Sequence, residues 1–382
     1  MDSKTYLTNK MFCPIPWQGF QYNANGDVLN CIRSQRPIGN LKDKSIHEIL
    51  AENTETKQNM LDGKPGQGCN VCYDIEENKK SFDVISDRIF YLKELRGINL
   101  DHYNSVDNFD LRKIDIRWSS ACNHACVYCG PMYSTKWQHE LKLKVEDPPR
   151  ERVEELKQYV FDNAHNLKHV YLAGGEPLLM KENLELLEIL QERNPFVNIR
   201  VNSNLSKTGT PVFDKICEFR NVHWTVSVDT IEQEFEYIRY GGKWSDFLEN
   251  LDKITTSGHK ITFNMLWFVL NYRSIFDCID FLKDRGYHNN SFVIGPILGP
   301  DWLDVRNLPD DELDDINIAL QSRIDQEPGY LLEDSYKNMM RHARVPFNKN
   351  LTKTFNKLNE MDQRRGLDSK TIFPEVYECL QD

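Results

Sequence analysis

The stretch Ser119-Ser120-Ala121-Cys122-Asn123-His124-Ala125-Cys126-Val127-Tyr128-Cys129-Gly130 sets three cysteines in the spacing Cys-x3-Cys-x2-Cys. Three thiolates from one short loop can hold three corners of a cubane iron-sulfur cluster and leave the fourth iron without a protein ligand. Such an open iron can chelate the amino and carboxylate groups of a methionine moiety, and one electron passed through the cluster can then cleave the adjacent sulfonium. A zinc site is the competing reading, although it normally wants a fourth cysteine or histidine. His124 sits between the cysteines, where it would strain a tetrahedral site. Three unrelated thiols remain as the plainest alternative.

Outward from the loop, short apolar runs alternate with helical patterns. The runs Lys113 to Trp118, Lys168 to Ala173, Val197 to Asn202, Val222 to Val228, Lys260 to Leu270 and Ser291 to Ile294 read as strands. Helical patterns cover Glu151 to Asn163, Asn183 to Arg193 and Ile275 to Arg285. This alternation predicts an α/β fold over 111–300, with a parallel sheet, right-handed crossovers and a curl into an open or closed barrel. Reactive groups gather at the C-terminal ends of such strands. The cysteine loop follows the first strand, and Gly174-Gly175-Glu176-Pro177 follows the second. These glycines expose backbone carbonyls and Glu176 adds a carboxylate, a setting that can hold a positively charged amino group. A tight turn before a helix is the bland use of the same residues.

The loop and Gly174 to Pro177 together resemble the radical SAM superfamily. That resemblance implies a partial (β/α)6 barrel, S-adenosylmethionine (SAM) bound to a three-cysteine [4Fe-4S] cluster, and reductive cleavage to a 5'-deoxyadenosyl radical that abstracts hydrogen. It also implies roles for single residues. Tyr128 is similar to an aromatic lying against the adenine, or else it packs over the loop. Ser203 and Asn204 end the third strand and Ser227 with Asp229 ends the fourth, where the superfamily places contacts to ribose and carboxylate. Arg239, in Tyr237-Ile238-Arg239-Tyr240-Gly241-Gly242, resembles an arginine that pairs the methionine carboxylate. Asp229 has the alternative of capping a helix that begins near Ile231.

Before the barrel, Cys13, Gly26 and Cys31 make Cys-x12-Gly-x4-Cys, and Cys69-x2-Cys72 follows. Gln18 to Tyr22 and Asp27 to Cys31 read as hairpin arms around Asn23 to Gly26, and a helix is expected over Ile46 to Leu61. Four thiolates can ligate a second cluster completely or hold zinc equally well. The pattern resembles a twitch domain, the shortened relative of the SPASM domain that holds auxiliary [4Fe-4S] clusters, except that such domains usually follow the barrel. The segment Cys13 to Trp17 and the late Phe373-Pro374-Glu375 extend the resemblance to twitch-containing radical SAM proteins almost end to end. The expected divisions are therefore 1–80 for this module, 81–110 for a connector, 111–300 for the barrel and 301–382 for a helical extension after Pro309. An auxiliary cluster there would relay electrons, accept one from a substrate radical, or hold the hairpin together.

The whole chain has 382 residues, 40% hydrophobic and 27% charged, with a net charge of -11. The acidic balance disfavours a broad nucleic-acid footprint, which needs concentrated Lys and Arg, while leaving room for a local basic groove. No run reaches the roughly 20 apolar residues of a membrane span, and the start MDSKTYLTNK lacks the apolar core of a signal peptide. A cytoplasmic protein is expected, served by a reductant of flavodoxin or ferredoxin type. The resemblance implies a peptide or protein side chain as substrate first and a small metabolite second. A zinc-stabilised binding module is the non-enzymatic alternative. Asp115 and Arg117 give the first strand a charged face, available either to substrate or to an internal salt bridge. Trp118, Trp137, Trp267 and Trp302 read as core, and Cys217, Cys278 and Cys379 as buried small hydrophobes.

Overall fold

In the computed structural model, residues 9–77, 86–95, 100–326 and 330–379 are described. They form two compact units. The first holds the described residues up to Ala121, with 144–202 and 209–223. The second holds 122–143, 203–208 and the described residues from Trp224 onward.

The strands of the first unit are β1 (Gly19–Tyr22), β2 (Asp27–Leu29), β3 (Gly39–Asn40), β4 (Lys113–Ile116), β5 (His169–Leu172) and β6 (Asn198–Ser203), in the spatial order β3-β2-β1-β4-β5-β6. β1 and β2 form the expected antiparallel hairpin, with Gln21 opposite Leu29. Gly26 closes its turn at φ +98°, where a Cβ would meet Asn40 Oδ1 at 2.4 Å, so no other residue fits there without strain. β1 then pairs in parallel with β4, Gly19 opposite Lys113. The hairpin segment thus extends the sheet of the strands that follow it, a long-range pairing that local patterns do not report.

β4 pairs in parallel with β5, and β5 with β6. Ile114, Ile116, Val170, Leu172, Ile199 and Val201 alternate along these strands and are all buried, which fixes one face of the sheet as core because side chains alternate between faces. Helices Arg150–Asp162, Lys181–Arg193 and Pro211–Cys217 follow in sequence. The helix expected over Ile46 to Leu61 is broken at Asn53 into Ile46–Glu52 and Thr54–Leu61. Ser45 starts the first piece with a capping box to Glu48.

β7 (Val222–Ser227) begins in the first unit and ends in the second, which also holds β8 (Lys260–Trp267) and β9 (Phe292–Pro296). β8 and β9 pair in parallel, Phe263 opposite Phe292. Each described strand from β4 to β9 is followed by a helix. The C-terminal extension is helical over Asp310–Gln326, Tyr330–Ala343 and Leu351–Arg365. Part of the connector expected over 81–110 lies outside the described residues, and the described part includes helix Asp87–Glu94. No described helix is long and apolar enough to cross a membrane.

Candidate functional site

In the second unit the three-cysteine loop is pinned by its backbone. Ala125 N donates to Tyr240 O and Val127 N to Ile238 O, both at 2.8 Å, so the loop runs along the segment containing Arg239. Thr135 Oγ1 accepts from Cys122 N and donates to Cys122 O, each at 3.1 Å, and Trp137 Nε1 donates to Cys126 O at 2.9 Å. Both residues lie on helix Thr135–Leu141, capped by Ser134. Arg365 Nη2 donates to Ala125 O at 2.9 Å, and its guanidinium lies 4.4 Å from the Tyr240 ring. Thr135 and Arg365 carried no signal in the sequence, because their contacts with the loop are set by tertiary packing.

All three thiols face a mixed environment. Burial pushes Cys126 up to about 12 and also raises Cys129, while the Arg239 charge pulls both down. Cys122 Sγ lies 3.5 Å from His124 N and 3.8 Å from Asn204 Nδ2. Amide groups directed at a sulfur suit a thiolate, since they stabilise its negative charge. The set of three soft thiols, one cation and inward amides fits a cluster ligated by three cysteines.

Asp229 does not cap the helix Glu232–Ile238, whose N-cap Ile231 makes no side-chain bond. The capping alternative is thereby corrected. Asp229 Oδ1 instead accepts from Leu266 N at 2.8 Å, and Oδ2 accepts from Tyr128 Oη at 2.8 Å and pairs with Arg239 Nη2 at 2.8 Å. The helix-capping geometry fails because two side chains and a strand amide already occupy the carboxylate. Arg239 is 4% exposed, its Nε has no hydrogen-bond partner among the described residues, and its guanidinium carbon lies 5.8 Å from the Tyr128 ring. Tyr128 also meets Phe268 edge-on at 5.6 Å.

Ser203 Oγ accepts from Leu205 N at 2.9 Å in a turn where Leu205 has φ +55°. Asn204 Oδ1 accepts from Ser206 N, and Ser206 Oγ donates to Asn123 Oδ1 at 3.0 Å, which ties this turn to the loop. Ser227 is half-buried at the end of β7. His124 is buried, and neither ring nitrogen has a partner among the described residues. Its ring fills the space beside Gly242, where a Cβ would come within 2.9 Å of Cε1. Burial, Arg239 and Lys136 hold it down to about 3, so it is neutral.

In the first unit, Gly174 to Pro177 makes both a turn and a docking contact. Gly174 has φ +117°, and a Cβ on Gly175 would lie 2.3 Å from Ala121 O, just before the first cysteine. Glu176 N donates to that same carbonyl at 2.7 Å. Glu176 is fully buried, and Oε1 accepts from Leu178 N at 3.2 Å, capping the short 3-10 helix Pro177–Leu179. The glycines are required by close backbone approach as well as by any carbonyls they expose.

Cys13, Cys31, Cys69 and Cys72 lie in the same unit, near enough for their charges to raise one another's thiols. Burial raises each thiol, to about 11 for Cys31 and about 12 for Cys69, and the charges of Cys31, Cys69 and Cys72 all push Cys13 up further. Cys13 and Cys31 belong to an apolar cluster with Phe12, Trp17, Met60 and Tyr91. All ten cysteines are free thiols. Among the described residues no three His, Cys, Asp or Glu side chains converge as a single-ion site requires. Four thiols in one apolar neighbourhood are enough to ligate a cubane in full.

Asp115 is closed by an internal pair, Lys113 Nζ to Oδ2 at 2.8 Å, with both side chains buried. Of the two uses open to it, the salt bridge is the one observed.

Residues 116–282 match the family described as the radical SAM superfamily, and residues 13–73 match SPASM, an iron-sulfur cluster-binding domain. A GTP 3',8-cyclase of Nautilia profundicola is 26% identical over 190 residues, 47% of this chain and 56% of that protein. A GTP 3',8-cyclase of Campylobacter lari is 22% identical over 192 residues, 49% of this chain and 55% of that protein. The chain thus spans about half the length of these relatives. Among solved structures, Streptococcus suis SuiB bound to S-adenosylmethionine is 16% identical, with a TM-score of 0.42 over 77% of this chain and 68% of that chain. Native anSMEcpe with bound AdoMet is 16% identical, with a TM-score of 0.41 over 56% and 61%.

Proposed function

We propose that this chain, whose residues 116–282 match the radical SAM superfamily and whose residues 13–73 match an iron-sulfur cluster-binding domain, reductively cleaves SAM and abstracts hydrogen from a substrate. The observation that carries this reading is the loop of Cys122, Cys126 and Cys129, three thiols held by backbone bonds beside a buried Arg239. When bound, the three-cysteine [4Fe-4S] cluster supplies the electron that breaks the SAM sulfonium bond and yields the 5'-deoxyadenosyl radical.

The chain's own residues hold and orient. Gly174, Gly175, Glu176 and Pro177 receive the methionine amino group. Tyr128 lies against the adenine, fixed through its hydroxyl by Asp229. Ser203, Asn204 and Ser227 contact ribose and carboxylate. Arg239, held at Nη2 by Asp229, offers Nε to the methionine carboxylate. Cys13, Cys31, Cys69 and Cys72 ligate the auxiliary [4Fe-4S] cluster in full, leaving it no iron for direct substrate ligation.

The substrate we favour is a peptide or protein side chain, as the resemblance to twitch and SPASM proteins implies. A small metabolite is the second reading, and the likeness to two GTP 3',8-cyclases favours it. A flavodoxin- or ferredoxin-type protein supplies the electron, and the cytoplasm is the proposed compartment, consistent with ten free thiols.

The test is 5'-deoxyadenosine release from SAM by reduced, anaerobically reconstituted protein. Wild type should form it and Cys126→Ala should not. Undiminished release by the variant refutes the assignment of the loop.

A further inference from the structure

Helix Leu351–Arg365 of the second unit closes on Gly366, which takes the left-handed conformation at φ +65°. In its last turn Asp362 and Arg365 stand one turn apart and so share a face. Asp362 Oδ1 accepts from Tyr237 Oη at 2.8 Å, and Oδ2 accepts from Ser369 N at 2.9 Å and from Ser369 Oγ at 2.6 Å. Arg365 donates from Nη2 to Ala125 O at 2.9 Å and from Nε to Glu140 Oε2 at 3.1 Å, with its side chain only 1% exposed. One helix face therefore touches both the segment that carries Arg239 and the cysteine loop.

The contacts of Arg365 converge on one thiol. Ala125 O belongs to the peptide unit that leads into Cys126, and the N–H of Ala125 is already held by Tyr240 O at 2.8 Å. The carbonyl on the far side, Cys126 O, accepts from Trp137 Nε1 at 2.9 Å. The Arg365 guanidinium lies 4.7 Å from the Trp137 ring and 4.4 Å from the ring of Tyr240, the residue after Arg239. A single planar cation thus fixes the peptide before Cys126, packs on the side chain that fixes the peptide after it, and covers the neighbour of Arg239. Glu140 offsets its charge, so the burial is compensated. A hydrogen bond from a charged donor contributes about 1.5–3 kcal/mol, enough to select one loop arrangement over another. Misplacing a site by about 1 Å can cost roughly a hundredfold in rate. Three thiols leave one corner of a cluster without a protein ligand, so the loop backbone has to hold the rest in place.

We propose that Arg365, aided by Asp362, is the positioning residue of the three-cysteine site: it sets the backbone on either side of Cys126 and keeps the Arg239 segment in register with the loop. The inference rests on the reading that this loop holds a SAM-binding cluster, and it gives the helical extension a part in SAM binding.

Two measurements on the anaerobically reconstituted full chain test it. One is a SAM titration of the reduced cluster followed by electron paramagnetic resonance. The other is hydrogen exchange of the loop amides 122–130, read by mass spectrometry with β8 as internal reference. Arg365→Met should weaken SAM binding about tenfold and raise KM for SAM more than it lowers kcat. It should also speed exchange in the loop while β8 exchanges as in wild type. Arg365→Lys can still pair with Glu140 but lacks the fork that reaches Ala125 O as well, so it should fold normally and lose about threefold in SAM affinity. Asp362→Asn should change SAM affinity in the same direction. Asn359→Ala, exposed on the same helix, is the control. Wild-type SAM affinity and loop exchange in Arg365→Lys overturn the proposal. So does faster exchange that β8 shares, because that marks general loosening rather than positioning. Should Arg365→Met not fold, Arg365→Lys decides. Failure of wild type to bind SAM would defeat the enzymatic reading, whereas the exchange measurement needs no SAM and judges Arg365 by itself.

Discussion

Arg239 Nη2 stands 2.8 Å from Asp229 Oδ2, a pair almost wholly withdrawn from solvent, and Tyr128 Oη donates to that same oxygen. Removing one partner of a buried pair leaves the other charge uncompensated, typically costing about 3–5 kcal/mol. Asp229→Asn should therefore lower the thermal midpoint by several degrees. Adding Arg239→Met to it should recover part of the loss, because the orphaned cation is then gone. Additive losses in the double variant would show that the pair is not coupled.

Gly175→Ala should disturb the cysteine loop at its root. Its Cβ would sit 2.3 Å from Ala121 O, a backbone atom that cannot swing aside. Iron bound after reconstitution should fall to about half of the wild-type content, the auxiliary cluster persisting. Gly209→Ala has open space around it and serves as the control. Full iron content in the Gly175 variant would contradict the docking role.

Cys69→Ala separates the two cluster sites. It should retain the three-cysteine cluster and some uncoupled SAM cleavage while losing about four of eight irons. An iron assay paired with 5'-deoxyadenosine chromatography reads both. Total loss of cleavage would mean that the auxiliary site is needed for the first step.

Lys57 gives stability a pH dependence of known sign. Its ammonium is buried, donating to Val106 O at 2.8 Å and Asn108 O at 3.0 Å, and burial pulls it down to about 8 from an ordinary 10.5. Below pH 8 it is charged in both folded and unfolded chains. Between about pH 8 and 10.5 the unfolded chain binds more protons, so this group's contribution to stability rises with pH. The wild-type thermal midpoint should gain on that of Lys57→Met across this window. A constant difference would contradict the assignment.

Much of the fold was legible because its signals are local. Alternation such as Ile114, Asp115, Ile116 marks strands whatever their partners, and the six expected strands and three expected helices fall within a few residues of where the patterns place them. Cysteine spacing marks ligand sets in the same way. What stayed hidden depends on long-range geometry. The parallel pairing of β1 with β4 joins segments almost a hundred residues apart, and Arg365 reaches the loop at Ala125 across 240 residues of sequence. Asp229 reads from sequence as a cofactor contact or, alternatively, a helix cap, and only the positions of Leu266, Tyr128 and Arg239 reveal the bonds it makes. The tight fit of Gly175 on Ala121 was likewise invisible, since a glycine's need for space appears only with its neighbours.

The central claim is that two cubane clusters form and only one is open to SAM. Electron paramagnetic resonance of the reduced, reconstituted protein tests it most directly, with and without SAM. The account predicts two cluster signals in wild type, of which SAM shifts one, and a single signal unmoved by SAM in Cys126→Ala. Near-zero iron after careful anaerobic reconstitution, or two signals that both ignore SAM, would contradict it.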